Sequence, residues 1–300
     1  ELPWPPPGML PRGFVSFGLI RVLRLNCRTP EFVDRVRSSR FLLPPSGPRM
    51  LLTMLLAAIV AAAGCLSLPG TPGTSDLALR PAKTPAASPP VLHCQSPDID
   101  QPRLIQALES QRQAISAELG LPAEAPPLNI FVFATQAAYE THVATKFPGF
   151  PARRAIFVHD AQESAVYAYL NPQLDVDLRH EATHGYLHAV LPGLPLWLDE
   201  GLAEYYEVAA AQRGRNYPHI ELLQTQQAVG GWTPNLSTLE QLDDAGAMTQ
   251  LEYAESWLWV HFFLQTPGPV KELFLAYLSQ LSQGAAPAPL SSQLGRLGPR

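Results

Sequence analysis

From Gln101 onward the apolar positions change rhythm twice, first helical, then short continuous runs, then helical again. Leu104, Ile105, Leu108, Ile115 and Leu119 fall at near-helical spacing, and Gly120 with Pro122 supplies a stop, so an amphipathic helix is predicted there. Residues 128 to 134 (LNIFVFA) are short and rich in β-formers and read as a buried strand, after which Thr135 caps a helix running through Val143. Residues 155 to 159 and 165 to 170 (AVYAYL) predict two more strands, with 160 to 164 as the turn between them. Beyond them the pattern is wholly helical, with helices predicted at 174 to 191, 196 to 210, 217 to 228, 249 to 265 and 269 to 282. The fold class expected is α+β: a small N-terminal mixed sheet with helices, then a helical half. No internal repeat is visible.

Upstream the pattern differs. From Met50 the run MLLTMLLAAIVAAAGC stays apolar for about fourteen residues, too short to span a bilayer and of the length of a signal-peptide core. Its ending, Ala62-Ala63-Gly64-Cys65, resembles a bacterial lipoprotein signal, in which Cys65 becomes the acylated first residue and anchors the chain to the membrane. Ala62 stands where such signals usually carry Leu, and no Lys or Arg follows Met50 to make a basic leader. A secretory signal cut after Ala63, or an uncleaved short anchor, fits the same run. Each reading places the rest of the chain outside the cytoplasm, lipid-anchored to a bacterial membrane, periplasmic or secreted. Residues 1 to 49 begin without Met and combine Pro clusters with an Arg-rich stretch, so they read as upstream sequence before a start at Met50, or as a long basic leader from Met9. From Leu66 to Pro97 the composition is Pro, Ala, Ser, Thr and Gly, which reads as a disordered tether. A second Pro-rich stretch at 285 to 300 reads as a disordered tail, leaving 98 to 284 as the folded domain.

Composition adds two exclusions. A net charge of −5 with no basic stripe in the C-terminal two-thirds gives no electrostatic reason to expect nucleic acid as a partner. The three cysteines, Cys27, Cys65 and Cys94, form neither a disulfide framework nor a CxxC pair, so any metal chemistry falls to His and carboxylate.

Residues 180 to 184 are His-Glu-Ala-Thr-His, inside a helical pattern. Histidines four apart project from one helix face, one turn apart, so His180 and His184 can reach a single ion. Glu181 lies beside them, where it can take a proton from an attacking water and pass it to a leaving amine. A loop at Pro192, Gly193 and Pro195 then leads into an acidic helix start, Pro195-Leu-Trp-Leu-Asp-Glu-Gly-Leu-Ala-Glu-Tyr-Tyr-Glu207, and two helices joined in this way can bring a carboxylate to the same ion. A catalytic zinc needs three protein ligands and an open fourth position.

Arg179-His-Glu-Ala-Thr-His184 followed by Trp197-Leu-Asp-Glu-Gly-Leu-Ala-Glu-Tyr205 resembles the gluzincin branch of the zincin metallopeptidases, including bacterial families of the peptidase MA group. The resemblance runs from about Leu128 to Leu281. It implies a zincin-like fold, Zn2+ held by His180, His184 and Glu200, and hydrolysis of a peptide or protein substrate with Glu181 as general base and then acid. Gly201 would let the ligand helix approach closely. Tyr253-Ala-Glu-Ser-Trp-Leu-Trp-Val-His261 is similar to the helix that closes the catalytic cleft; Tyr253 would then donate to the oxyanion, core packing being its other fate. Residues 165 to 170 fit the edge strand that holds an extended peptide by main-chain pairing.

Several residues have competing roles. Glu204, one turn beyond Glu200, is the rival third ligand. His188 lies about 12 Å from His180 on a straight helix, too far to share one ion, and is expected to support a ligand or face solvent. Asp199 and Asp177 can orient ligand imidazoles or cap helices. His142 and His159 lack partners at ligand spacing, and Trp257, Trp259, Phe262, Phe263 and Leu264 read as core. A further departure is the separation of His184 from Glu200, residues 185 to 199, shorter than in the aminopeptidase pattern; no signature for gripping an amino terminus is present. The alternative to a peptidase is a surface-tethered protein of the same fold that binds a partner or peptide without cleaving it.

Overall fold

Four short strands share one sheet in the computed structural model of the chain, which describes residues 88–150, 153–159 and 164–297, with only the backbone of Ala247. The readings of residues 1 to 49, of the signal run with Cys65, and of the tether up to residue 87 lie outside the described residues, as does most of the turn at 160 to 164. Strands β1 (Val91–Cys94), β2 (Asn129–Phe133), β3 (Ala155–His159) and β4 (Ser164–Tyr169) take the order β1-β2-β4-β3. β1 runs parallel to β2 with Val91 opposite Asn129, β2 runs parallel to β4 with Asn129 opposite Ala165, and β3 lies antiparallel to β4 with Ala155 opposite Ala168. The fold class is therefore α+β, a small mixed sheet followed by a helical half.

The crossover from β1 to β2 is helix α1 (Gln101–Leu119), as a parallel pair requires. The Asp100 side chain accepts from the Arg103 amide at its start, and Gly120, in the left-handed region at φ 66°, ends it. Helix α2 (Gln136–Lys146) starts at the Thr135 cap as expected and covers one face of the sheet, where Phe133, Tyr139, Val143, Ile156, Val158, Ala165 and Tyr167 form a second, smaller core. The other face packs into the main core against α1 and the helical half.

That half comprises α3 (Leu174–Val190), α4 (Leu196–Tyr206), α5 (Tyr217–Ala228), the single turn α6 (Leu236–Leu239), α7 (Gln250–Gln265), α8 (Pro269–Ser282) and α9 (Leu290–Arg296). Helix α7 opens on a capping box between Thr249 and Glu252 and is buried from Tyr253 to Leu264, so Trp257, Trp259, Phe262, Phe263 and Leu264 are core as expected. Among the described residues no helix is long and apolar enough to cross a membrane.

Three expectations need correction. The segment 165 to 170 is not an edge strand: β4 pairs on both sides and its residues Ala165 to Ala168 are all buried, the continuous burial of a central strand covered on both faces. The antiparallel edge is β3. Residues 91 to 94, assigned by composition to the tether, form β1, because pairing with β2 supplies the hydrogen bonds that the local sequence does not announce. Residues 290 to 296, assigned to the tail, form α9, which buries Leu290 and Leu294.

Candidate metal centre

Helix α3 is held from several directions. On α1, Gln111 Nε2 lies 3.0 Å from each of Arg179 O, Thr183 Oγ1 and Tyr206 O, tying α1, α3 and α4 together. Two ion pairs fix the first turn of α3: Arg103 grips both oxygens of Asp175 at 2.7 and 2.9 Å, and Arg154 makes three contacts of 2.7 to 3.1 Å with Asp177. Asp177, which also accepts from Asn171, is thus committed to Arg154 and orients no histidine. Between α3 and α4 the chain turns at Gly193, φ 72°, and Pro195 starts the second helix in an extended conformation.

This arrangement brings three ligand atoms face to face. His180 Nε2 and His184 Nε2 lie 3.3 Å apart, and Glu200 Oε2 is 3.6 Å from the first and 3.5 Å from the second. Four ligands set tetrahedrally at zinc bond lengths of about 2.0 to 2.1 Å lie about 3.3 to 3.4 Å from one another. The triangle thus has the edge length that a tetrahedral ion demands. Among the described residues Glu200 Oε2 is also buried without a hydrogen-bond partner, a costly state for a carboxylate oxygen that a cation relieves.

Two other groupings of potential ligands share these histidines: His184 with His188 and Asp199, and His180 with Glu204 and Glu207. They are joined by hydrogen bonds. His184 Nδ1 and His188 Nε2 each lie 2.8 Å from an Asp199 oxygen, and His180 Nδ1 lies 3.0 Å from Glu207 Oε2. With each Nε2 turned to the centre, each Nδ1 carries the proton that it donates to a carboxylate, the usual support for an imidazole ligand. Asp199 therefore holds the His184 imidazole, the arrangement that one of its two expected roles requires, and His188 shares the same carboxylate. Glu207 is a support that the sequence reading missed; its position two helical turns beyond Glu200 was the available signal. Its carbonyl accepts from Arg179 Nε and its Oε1 accepts from Asn216 at 2.7 Å. Glu204 accepts from His219 Nε2 at 2.7 Å, and it is Glu200 that forms the triangle with both His180 and His184. His159 rests its ring against His188 at 5.9 Å, and His142 packs between Phe133 and Tyr167.

The charges at the centre favour a positive group there. Burial alone would lower the pKa of both histidines, yet the nearby Glu200 and Glu207 carboxylates carry His180 well above its ordinary value, and Asp199 with Glu200 carries His184 up to about 10. Burial would raise Glu200, and the two imidazoles instead hold it down at about 2. These carboxylates call for positive charge at the centre, which two protons or one divalent ion with neutral imidazoles can supply.

The centre opens into a cleft of about 790 Å³ whose lining includes Arg153, Arg154, Tyr169, Glu181, Met248 and Tyr253. Glu181 lies beside His180 in that lining. Tyr253, on α7, accepts a hydrogen bond from Arg153 Nη2 at 3.2 Å, which leaves its own proton to point elsewhere. Burial, with the Glu200 charge, raises the Tyr253 hydroxyl above its ordinary pKa and keeps it a donor. Arg153 carries no motif and was not singled out by the sequence. Phe157 of the edge strand β3 stacks toward His184, with ring centroids 6.4 Å apart, so the strand passes alongside the centre. Searches of the sequence against family models and against curated proteins find no match.

Proposed function

We propose that the chain is a zinc-dependent peptidase of zincin-like fold. The observation that carries this reading is the triangle of His180 Nε2, His184 Nε2 and Glu200 Oε2, with edges of 3.3 to 3.6 Å, beside Glu181, which lines an open cleft. A zinc ion held by those three residues supplies a polarised carbonyl and a water of lowered pKa when bound.

The chain's own residues account for the rest. Glu181 takes a proton from the attacking water and delivers it to the leaving amine. Tyr253, whose oxygen is engaged by Arg153, donates its proton to the oxygen on which negative charge develops. Asp199 and Glu207 hold the two imidazoles in the tautomer that presents Nε2. An extended substrate pairs its main chain with the open edge of β3, the strand that runs past His184. The signal-like run from Met50 would place this activity outside the cytoplasm, at a bacterial membrane if Cys65 is acylated and otherwise in the periplasm or secreted.

The test is metal analysis of the purified protein followed by incubation with a peptide library. One zinc per chain and cleavage are expected, with Glu181→Gln keeping the zinc and losing at least about 100-fold in rate, the scale of a general-base contribution. Full activity in Glu181→Gln would end the mechanism. Stoichiometric zinc with no cleavage of any peptide would favour the binding protein instead.

A further inference from the structure

Most of the charged groups along the cleft already have partners. Arg154 is spent on Asp177, Gln136 donates to Glu140 at 2.8 Å, Glu204 is held by His219, and Glu207 is held by His180 and Asn216. Arg153 stands apart. It is exposed, sits two residues before the edge strand β3, and among the described residues its partner is the neutral hydroxyl of Tyr253, with no carboxylate at ion-pair distance. It is near enough to the centre for Glu200 and Glu181 to favour its charged form. A guanidinium offers five donors in a planar fork, and the single contact to Tyr253 uses one of them. The Tyr253 contact fixes the fork in place, which lowers the entropy cost of engaging a planar, two-oxygen acceptor.

We infer that Arg153 selects the substrate, binding a carboxylate that lies next to the scissile bond. This deepens the peptidase reading and rests on it. A peptide paired along β3 reaches Arg153 just outside the strand's first residue, Ala155, so the carboxylate belongs either to an Asp or Glu side chain or to a free C-terminus. Met248, Ala155, Val176 and Pro218 give the cleft only scattered apolar surface, so charge recognition is the stronger source of discrimination there.

Binding is measured on the full chain carrying Glu181→Gln, loaded with zinc so that nothing is cleaved, by fluorescence anisotropy with three labelled decapeptides of otherwise equal sequence. One carries an internal Asp and an amidated end, one is neutral with a free C-terminus, and one is neutral and amidated. At least one carboxylate peptide is expected to bind about 10-fold tighter than the neutral amidated one, the worth of a charge-assisted bidentate pair, and which of the two does so names the source. Adding Arg153→Gln should bring the three affinities together with zinc content unchanged, while Arg153→Lys, which keeps the charge without the fork, should retain part of the preference. Equal affinities in the parent, a preference that survives Arg153→Gln, or no binding of any of the three overturns the inference. Preferential binding with no cleavage by the zinc-loaded wild type would sink the peptidase reading and leave the carboxylate site standing. Cleavage without preference would do the reverse.

Discussion

Gly201 faces the backbone of Ser256 so closely that a Cβ placed on it would stand 2.6 Å from the Ser256 carbonyl oxygen and 2.8 Å from the carbonyl carbon. Gly201 follows Glu200, the third corner of the triangle, and Ser256 lies one turn beyond Tyr253 on α7. The crossing of α4 and α7 at this point therefore sets the depth of the Glu200 carboxylate. A backbone atom cannot move aside as a side-chain end would. Gly201→Ala is expected to push α4 away, costing about 1 to 3 kcal/mol of stability and weakening zinc binding together with it. Thermal melts and a zinc titration of the same preparation check both; a variant with unchanged melting and unchanged affinity would contradict the close crossing.

The supports behind the imidazoles should be separable from the ligands. Asp199→Asn and Glu207→Gln replace the carboxylates behind His184 and His180 by neutral, weaker acceptors while leaving the triangle in place. Zinc affinity should fall by about 10 to 100-fold in each, against loss of stoichiometric zinc in His180→Ala, His184→Ala or Glu200→Ala. Competition with a chromogenic chelator measures this. Glu204→Gln, on the His219 side, should leave the affinity within a few-fold of wild type if Glu200 is the third ligand.

How much of this was legible in the sequence follows from how local each feature is. The helices at 174 to 190, 196 to 206 and 250 to 265 declare themselves by spacing and by stop signals, and the pairing of 180 with 184 is fixed by one helical turn. Gly201 could be read as a close-approach residue because a glycine within a helix calls for a reason. The order of the strands could not be read. Whether 155 to 159 or 165 to 169 lies at the edge depends on which of them β2 pairs with, a contact across more than thirty residues (Asn129 with Ala165). Strand β1 has the same problem, since a four-residue strand in a proline-flanked stretch carries no periodicity of its own. Asp177 and Asp199 look alike in sequence, both on helices beside histidines, and only the arrival of Arg154 at one of them separates their roles. Arg153 is an ordinary arginine until Tyr253, a hundred residues on, is placed against it.

Away from the centre, His261 on α7 gives the fold a dependence on acid. Burial, reinforced by the Arg215 charge, lowers its pKa to about 4, and its Nδ1 is buried without a partner among the described residues. The folded chain therefore keeps this imidazole neutral while the unfolded chain protonates it near its ordinary 6.5. Stability from this group is fully present above 6.5 and is lost as the pH falls toward 4, by roughly 3 kcal/mol at full extent. His261→Gln should flatten the fall in melting temperature between pH 6.5 and 4 relative to wild type, whatever its effect at neutral pH. An unchanged slope would mean that the unfolding chain gains no proton there.

Removing the metal should expose a second pH dependence, of opposite sign at its alkaline end. Without zinc, His184 titrates at about 10 in the folded chain, so the stability contributed by its contacts with Asp199 and Glu200 is present below 6.5 and drains away as the pH rises toward 10. Glu200, held at about 2, works the other way: its contribution is present above its ordinary 4.5 and is lost as the pH falls toward 2. The chelated protein is accordingly expected to melt highest between about 4.5 and 6.5, apart from the slope due to His261. Zinc held by the triangle should invert the alkaline side, because it would bind the neutral imidazoles and compete with their protons, so its affinity should climb with pH through the range in which the metal-free protein weakens. Stabilisation by the ion grows as the logarithm of its concentration over its dissociation constant, about 4 kcal/mol at a thousandfold excess. The gap between melting temperatures with zinc and with chelator should therefore widen from pH 6 to pH 9. A gap that stayed constant or narrowed over that range would mean that the ion does not displace protons from His180 and His184, and the triangle would no longer account for its binding.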